Sequence, residues 1–164
     1  MAKVPNTDVE FNRNRIEKKH IGAGQVAEGW TDVHAPRAKH LELGRRAENL
    51  AVEYVTGLGW RLLSRNFTCS LGELDIVAED KQANELVVVE VRYRTCGDTQ
   101  SPEDSIGPKK LRTLVNTGRV FVDNAGWTGP WRIDLVGVTA SARDPEEFLK
   151  LTHIRDITGG DFSV

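Results

Sequence analysis

Four charged residues recur at alternate positions in two apolar runs. Glu73 and Asp75 lie in Gly72-Glu73-Leu74-Asp75-Ile76, and Glu90 and Arg92 in Val89-Glu90-Val91-Arg92-Tyr93. A polar break from Asp80 to Glu85 separates the runs, as expected of two antiparallel strands joined by a short turn. Strand side chains alternate with period 2. Leu74 and Ile76 are therefore expected on one face with Val87, Val89, Val91 and Tyr93, and the charged residues on the other with Val88. Pairing Asp80 with Glu85 puts Ile76 opposite Val89, Leu74 opposite Val91, Asp75 opposite Glu90 and Glu73 opposite Arg92. A slip of one residue would send valines or charges to the wrong side. Facing carboxylates repel unless a cation lies between them. An oxygen-only ligand set suits Mg2+, which prefers hard carboxylates and keeps several waters, better than Zn2+. The same residues read equally well as a solvated sheet face, on which Glu73 and Arg92 form a surface ion pair contributing at most about 1 kcal/mol.

Other elements must hold this hairpin in place. From about Leu41 the apolar residues Leu43, Ala47, Leu50, Ala51, Tyr54, Val55 and Leu58 recur at helical steps, and Gly57 and Gly59 supply a stop. Glu48 falls on the flank of that stripe, where it can reach a site between helix and sheet or turn to water. Trp60 to Phe67 reads as a strand, and Gly72 suggests a bulge or a close backbone approach. Thr95 to Pro108 is a polar loop. A second helix is expected from about Ser105 or Lys109 to Asp123, with Leu111, Leu114, Val115, Gly118, Phe121 and Val122 inward. Lys109, Lys110 and Arg112 crowd its start, where the helix dipole favours acidic residues. They read either as a phosphate contact or as an ordinary solvated face. Trp131 to Thr139 gives a fourth strand, with Asp134 opposite in facing to Ile133 and Leu135. Phe148 to Ile157 fits an edge strand or a short helix. The expected fold is α/β, a mixed sheet covered by helices.

The chain has 164 residues, 39% hydrophobic and 28% charged, with a net charge of -2. That length suits one domain with a real core. No apolar run is long enough to span a bilayer and the first residues lack a signal peptide's apolar stretch, so no membrane partner and a cytoplasmic location are expected. Cys69 and Cys96 would meet if the ladder extended that far, but reduced thiols are expected in that compartment. Residues 1–40 show no sustained period and are expected to be a polar, partly disordered extension, with a short helix around Asp8 to Lys19, ahead of a domain over 41–164. Their His20 and His34, with His40, are too widely spaced to signal a metal site, and Trp30 has no assignable contact. A near-neutral chain does not coat nucleic acid indiscriminately. Once metal neutralises the carboxylates, however, Arg45, Arg46, Arg65, Arg92, Arg94, Lys109, Lys110, Arg112 and Arg119 leave its middle cationic, as a phosphate-bearing partner requires.

Taken together, Glu48, the run Gly72-Glu73-Leu74-Asp75 and the run Glu90-Val91-Arg92 resemble the site of the PD-(D/E)XK nuclease superfamily, in the same α-β-β-β-α-β order. More closely, Gly44-Arg45-Arg46-Ala47-Glu48, Asn66, Gly72 to Asp75, Glu90 to Arg94, Lys109 and Arg132-Ile133-Asp134 resemble the YraN family, which is related to archaeal Holliday-junction resolvases. The resemblance covers about Leu41 to Ile157. It implies a restriction-endonuclease-like core and Mg2+- or Mn2+-dependent hydrolysis of DNA phosphodiesters, on branched or damaged DNA. Asp75 and Glu90 would hold the ion, helped by the Val91 carbonyl, and Glu48 would hold it directly or through water. Glu73 and Asp134 would support the site, while Arg94, Lys109, Lys110 and Arg112 would meet the DNA backbone. A junction substrate would call for a homodimer. The superfamily pattern expects lysine at the position of Arg92. Arginine stays protonated and cannot act as general base, which leaves open a non-catalytic DNA-binding or adaptor module, or a structural protein whose acidic patch only pairs with arginines.

Overall fold

Four consecutive apolar residues, Leu86 to Val89, are fully buried within one strand, Glu85–Thr95. Branched side chains pack well on a pleated surface. Because both faces of this strand are covered, alternate residues serve two different cores. The structure, a computed structural model, describes residues 7–10, 35–97, 106–145, 147–160 and 162, with side chains from His40 onward. Its elements in chain order are β1 (Thr7–Glu10), α1 (Ala35–Gly57), β2 (Arg61–Cys69), β3 (Gly72–Asp80), β4 (Glu85–Thr95), α2 (Pro108–Asn124), β5 (Trp131–Ala140) and β6 (Phe148–Ile154). The strands form one sheet in the order β1-β6-β5-β4-β3-β2. Strands β4 and β5 run parallel with α2 as their crossover, and the other neighbours are antiparallel. This is the mixed α/β architecture that the periodicities predict.

Each helix closes one face. On one side Ala47, Ala51 and Val55 of α1 pack with Ile76, Ala78, Val87, Val89, Val136 and Val138. On the other, Leu114 and Val115 of α2 pack with Leu74, Val77, Leu86, Val88 and Ile133. Full burial of each such Val, Leu or Ile is worth roughly 1.5–3 kcal/mol, so the two layers hold the hairpin firmly between them. Two glycines set the seat of α2. A Cβ on Gly118 would stand 2.6 Å from the Trp131 ring, and one on Gly72 would stand 2.6 Å from Thr113 Cγ2. The close approach expected at Gly72 is therefore an approach to α2, which also carries Lys110.

Several boundaries differ from the sequence reading. Thr7–Glu10 is a strand paired with β6 from Thr7↔His153 to Glu10↔Lys150, where a short helix around Asp8 was expected; residues 11–34, with His20, Trp30 and His34, lie outside the described residues. Helix α1 begins at Ala35, ahead of Leu41. Leu58 is 42% exposed, because the chain turns at Gly59 (φ 86°) and Trp60 N–H closes the helix end on the Val55 carbonyl. Phe148–Ile154 resolves as a strand, and β1 covers it, so it is not an edge. Pro108 opens α2, where its missing N–H costs nothing; residues 98–105, with the alternative start at Ser105, lie outside the described residues. Cys69 and Cys96 are free thiols. Among the described residues no helix is long and apolar enough to cross a membrane.

Candidate active site

The β3–β4 ladder runs from Asp80↔Glu85 to Ile76↔Val89 and goes no further. Beyond it the regular alternation fails. Leu74 packs in the α2 layer, whereas Ile76, two residues on, packs in the α1 layer. The expected common face for Leu74 and Ile76 is thus corrected, and the pairs Leu74–Val91, Asp75–Glu90 and Glu73–Arg92 do not form as ladder pairs. The close approach at Gly72 draws the start of β3 toward α2, and opposed carboxylates give no reason to zip the strands up. Asp75 instead turns its side chain into the opening, where Oδ2 accepts the Val91 N–H at 2.7 Å.

Glu90 faces the same opening from β4 and is only 1% exposed. Its Oε1 meets two cations, Lys110 Nζ at 2.9 Å and Arg92 Nη2 at 3.1 Å. Among the described residues its buried Oε2 has no hydrogen-bond partner, and neither do Arg92 Nε and Thr117 Oγ1. Burial pushes the Glu90 carboxyl up from 4.5 to about 7, and the charge of Asp75 adds to the effect while Lys110 and Arg92 oppose it. Asp75 is also raised, first by burial, with the Val91 N–H, Lys110 and Arg92 pulling the other way. Glu48, half-buried on α1, is raised by burial and then by Asp75, against Arg65 and Arg45. Asp75, Glu90, Arg92 and Lys110 thus form one cluster at the mouth of the splayed strands, with Glu48 approaching Asp75 from α1.

The remaining expected residues sort differently. Arg92 pairs with Glu90 on its own strand rather than with Glu73, which is exposed. Lys110 is folded in onto Glu90 and is not on the outer surface with Lys109 and Arg112, which are exposed. Its sequence signal was a lysine in a helix start that holds no acidic residue in its first turn. Arg94 stands half-buried two positions beyond Arg92.

Asp134 does not join the carboxylates. It stands beside Val89 in the β4–β5 ladder, on the α1 side, and is fully buried. Oδ1 accepts Arg132 Nε–H at 3.0 Å and the Asp156 N–H at 2.9 Å, while Oδ2 meets His153 Nε2 at 3.0 Å. His153 Nδ1 in turn meets the Tyr54 hydroxyl at 3.2 Å. Arg132 also reaches Asp80 and Glu85 and lies 5.3 Å over the Trp60 ring. Tyr54, Trp60, Asp80, His153 and Arg155 line a cavity of about 450 Å³ beside this network. Periodicity could not reveal it, because buried and solvated polar residues alternate identically in a sequence.

The Asp75–Glu90 pair fits a divalent cation. A buried carboxylate oxygen with no partner is costly, and Mg2+ is held by one or two carboxylates with its other positions left to water or phosphate. Among the described residues no three His, Cys, Asp or Glu side chains converge closely enough to hold a metal ion. Asp75 and Glu90 are the two carboxylates that would hold such an ion, with Glu48 at one remove.

The model of the uncharacterised protein family UPF0102 matches residues 47–138 of the chain. Similar proteins include a UPF0102 protein of Nitrosococcus oceani, 39% identical over 105 residues, spanning 63% of this chain and 83% of the relative. One from Mycobacterium avium is 36% identical over 120 residues, spanning 71% and 90%. Another from Mycobacterium tuberculosis is 34% identical over 118 residues, spanning 71% and 92%. The matched stretch contains both carboxylates and both of their cations, and the chain belongs to the UPF0102 family, the YraN-like family that its motifs resemble.

Proposed function

We propose that the protein is a Mg2+- or Mn2+-dependent endonuclease that hydrolyses DNA phosphodiesters in the cytoplasm, with a site of the PD-(D/E)XK type. The observation that carries this reading is the buried, partnerless Glu90 Oε2 beside Asp75, at the point where β3 and β4 separate. A divalent cation there supplies an acidified water and offsets charge growing on a phosphoryl oxygen. Asp75 and Glu90 hold it, and the Val91 N–H fixes the orientation of Asp75. Glu48, which senses the charge of Asp75 from α1, would act on the bound ion directly or through water. Arg92 and Lys110, anchored on Glu90, stand ready to stabilise the transition-state phosphate electrostatically. Lys109, Arg112 and Arg94 take the flanking backbone phosphates, so binding weakens as salt rises. A branched substrate with two-fold symmetry calls for a homodimer with two such sites.

Arg92 favours a second reading, a DNA-binding module that keeps the fold without the reaction, because a guanidinium cannot accept a proton. Labelled single-stranded, duplex, flap and four-way-junction DNA, incubated with Mg2+ or Mn2+, separate the two. Scission is expected with wild-type protein and at least about a hundredfold less with Asp75→Asn or Glu90→Gln. Arg92→Lys is expected to raise the rate. Salt-sensitive binding that survives Glu90→Gln, with no scission by wild type or Arg92→Lys, replaces the enzyme with the binding module.

A further inference from the structure

We infer that the site takes a single divalent ion, because Lys110 and Arg92 already occupy the place that a second ion would need. This rests on the reading of Asp75 and Glu90 as metal ligands. Glu90 Oε1 carries the Lys110 ammonium at 2.9 Å and the Arg92 guanidinium at 3.1 Å, whereas Oε2 is buried and bare. Asp75 divides its oxygens likewise, with Oδ2 committed to the Val91 N–H at 2.7 Å. One oxygen of each carboxylate is left for a cation. Paired metal ions stand about 3.5–4 Å apart and clamp the two sides of the reacting phosphate. Here one side of Glu90 is held by side chains instead.

Charge leads to the same result. The two carboxylates and the two side-chain cations balance, so one divalent ion leaves an excess of two positive charges, which a phosphodiester and the neighbouring Glu48 can offset. A second would crowd two more positive charges against Lys110 and Arg92 in a half-buried setting, where repulsion at about 4 Å is several-fold stronger than in water. Helix α2 is seated by Gly72 against Thr113 and by Gly118 against Trp131, which keeps the start of the helix over the carboxylates. Lys110 on this account has a second part beside its place near the phosphate: it fixes the number of ions and the usable side of Glu90.

The test is the number of Mn2+ ions bound per chain, read from the free-ion electron paramagnetic resonance signal without any DNA. Wild type is expected to bind one. Lys110→Met and Lys110→Gln, which remove the nearer of the two cations on Oε1, are expected to bind a second ion and to hold the first on the order of tenfold more tightly. Lys110→Arg should keep one. Arg112→Met loses the same charge from the same helix without touching Glu90, and should also keep one. Two ions on wild type, or Lys110→Met and Lys110→Gln indistinguishable from it, would overturn the inference and leave the metal site standing. A wild-type chain that binds no Mn2+, or binds it equally after Glu90→Gln, removes the metal site itself and this role of Lys110 with it.

Discussion

Two clusters of buried charge lie on opposite faces of one sheet, the first centred on Asp134 of β5 and the second on Glu90 of β4, and only the first is complete. Around Asp134 both carboxylate oxygens are bonded, to Arg132, His153 and the Asp156 N–H, and Arg132 is shared with Asp80 and Glu85. Around Glu90 one oxygen serves two cations, and the other, with Arg92 Nε, has no hydrogen-bond partner among the described residues. Burying charge is tolerable when every lone pair and proton finds a partner, and expensive otherwise. The difference separates a cluster that holds the fold together from one that is held by the fold for something else.

The largest effect should come from breaking the complete cluster. Asp134→Ala leaves Arg132 and His153 without their shared acceptor and should cost about 3–5 kcal/mol in urea unfolding. A loss under about 1 kcal/mol would mean that the network is not structural, and the contrast would collapse.

The incomplete cluster should respond to pH with the opposite sense from an ordinary carboxylate. Glu90 has its folded value raised from 4.5 to about 7, so between those values the native state binds a proton that the unfolded chain has released. Its contribution is fully present below 4.5 and is lost as pH rises through about 7, a fall of about 3 kcal/mol at most. Asp75 and Glu48, both raised, push the same way. Glu90→Gln should flatten that slope and be more stable than wild type above pH 7, while Mn2+ should restore the wild type by binding the native state alone. A slope unchanged by Glu90→Gln would place the titration elsewhere.

The smallest effect sharpens the contrast at the margin of the complete cluster. Tyr54→Phe removes the hydroxyl that meets His153 and should cost about 1 kcal/mol, with DNA cleavage unchanged. A loss of cleavage instead would give the Tyr54 cavity a part in the reaction.

What could be read in advance follows the strength of each pattern. The hairpin register from Asp80–Glu85 to Ile76–Val89 was legible because a slip would expose the valines, and the α1 stripe because Ala47, Ala51 and Val55 recur at helical steps. The charged residues of the site were legible by type and spacing. Their arrangement was not. Period 2 carries no mark of the switch between Leu74 and Ile76, which depends on how tightly Gly72 meets α2. Nor does a lysine near a helix start announce whether it faces solvent or a carboxylate twenty residues earlier on β4, as Lys110 does. Thr7–Glu10 is too short for any periodicity to register, and only its partner β6 makes it a strand.

That short strand bears on how the protein behaves in handling. Along its four residues β1 covers the outer row of amides and carbonyls of β6, which would otherwise be a template for another chain. A version lacking Thr7–Glu10 would keep both helices and Asp75, Glu90, Arg92 and Lys110, yet present a bare sheet margin beside Leu151 and His153. Its failing would be stickiness rather than unfolding, with activity draining into aggregates as concentration rises.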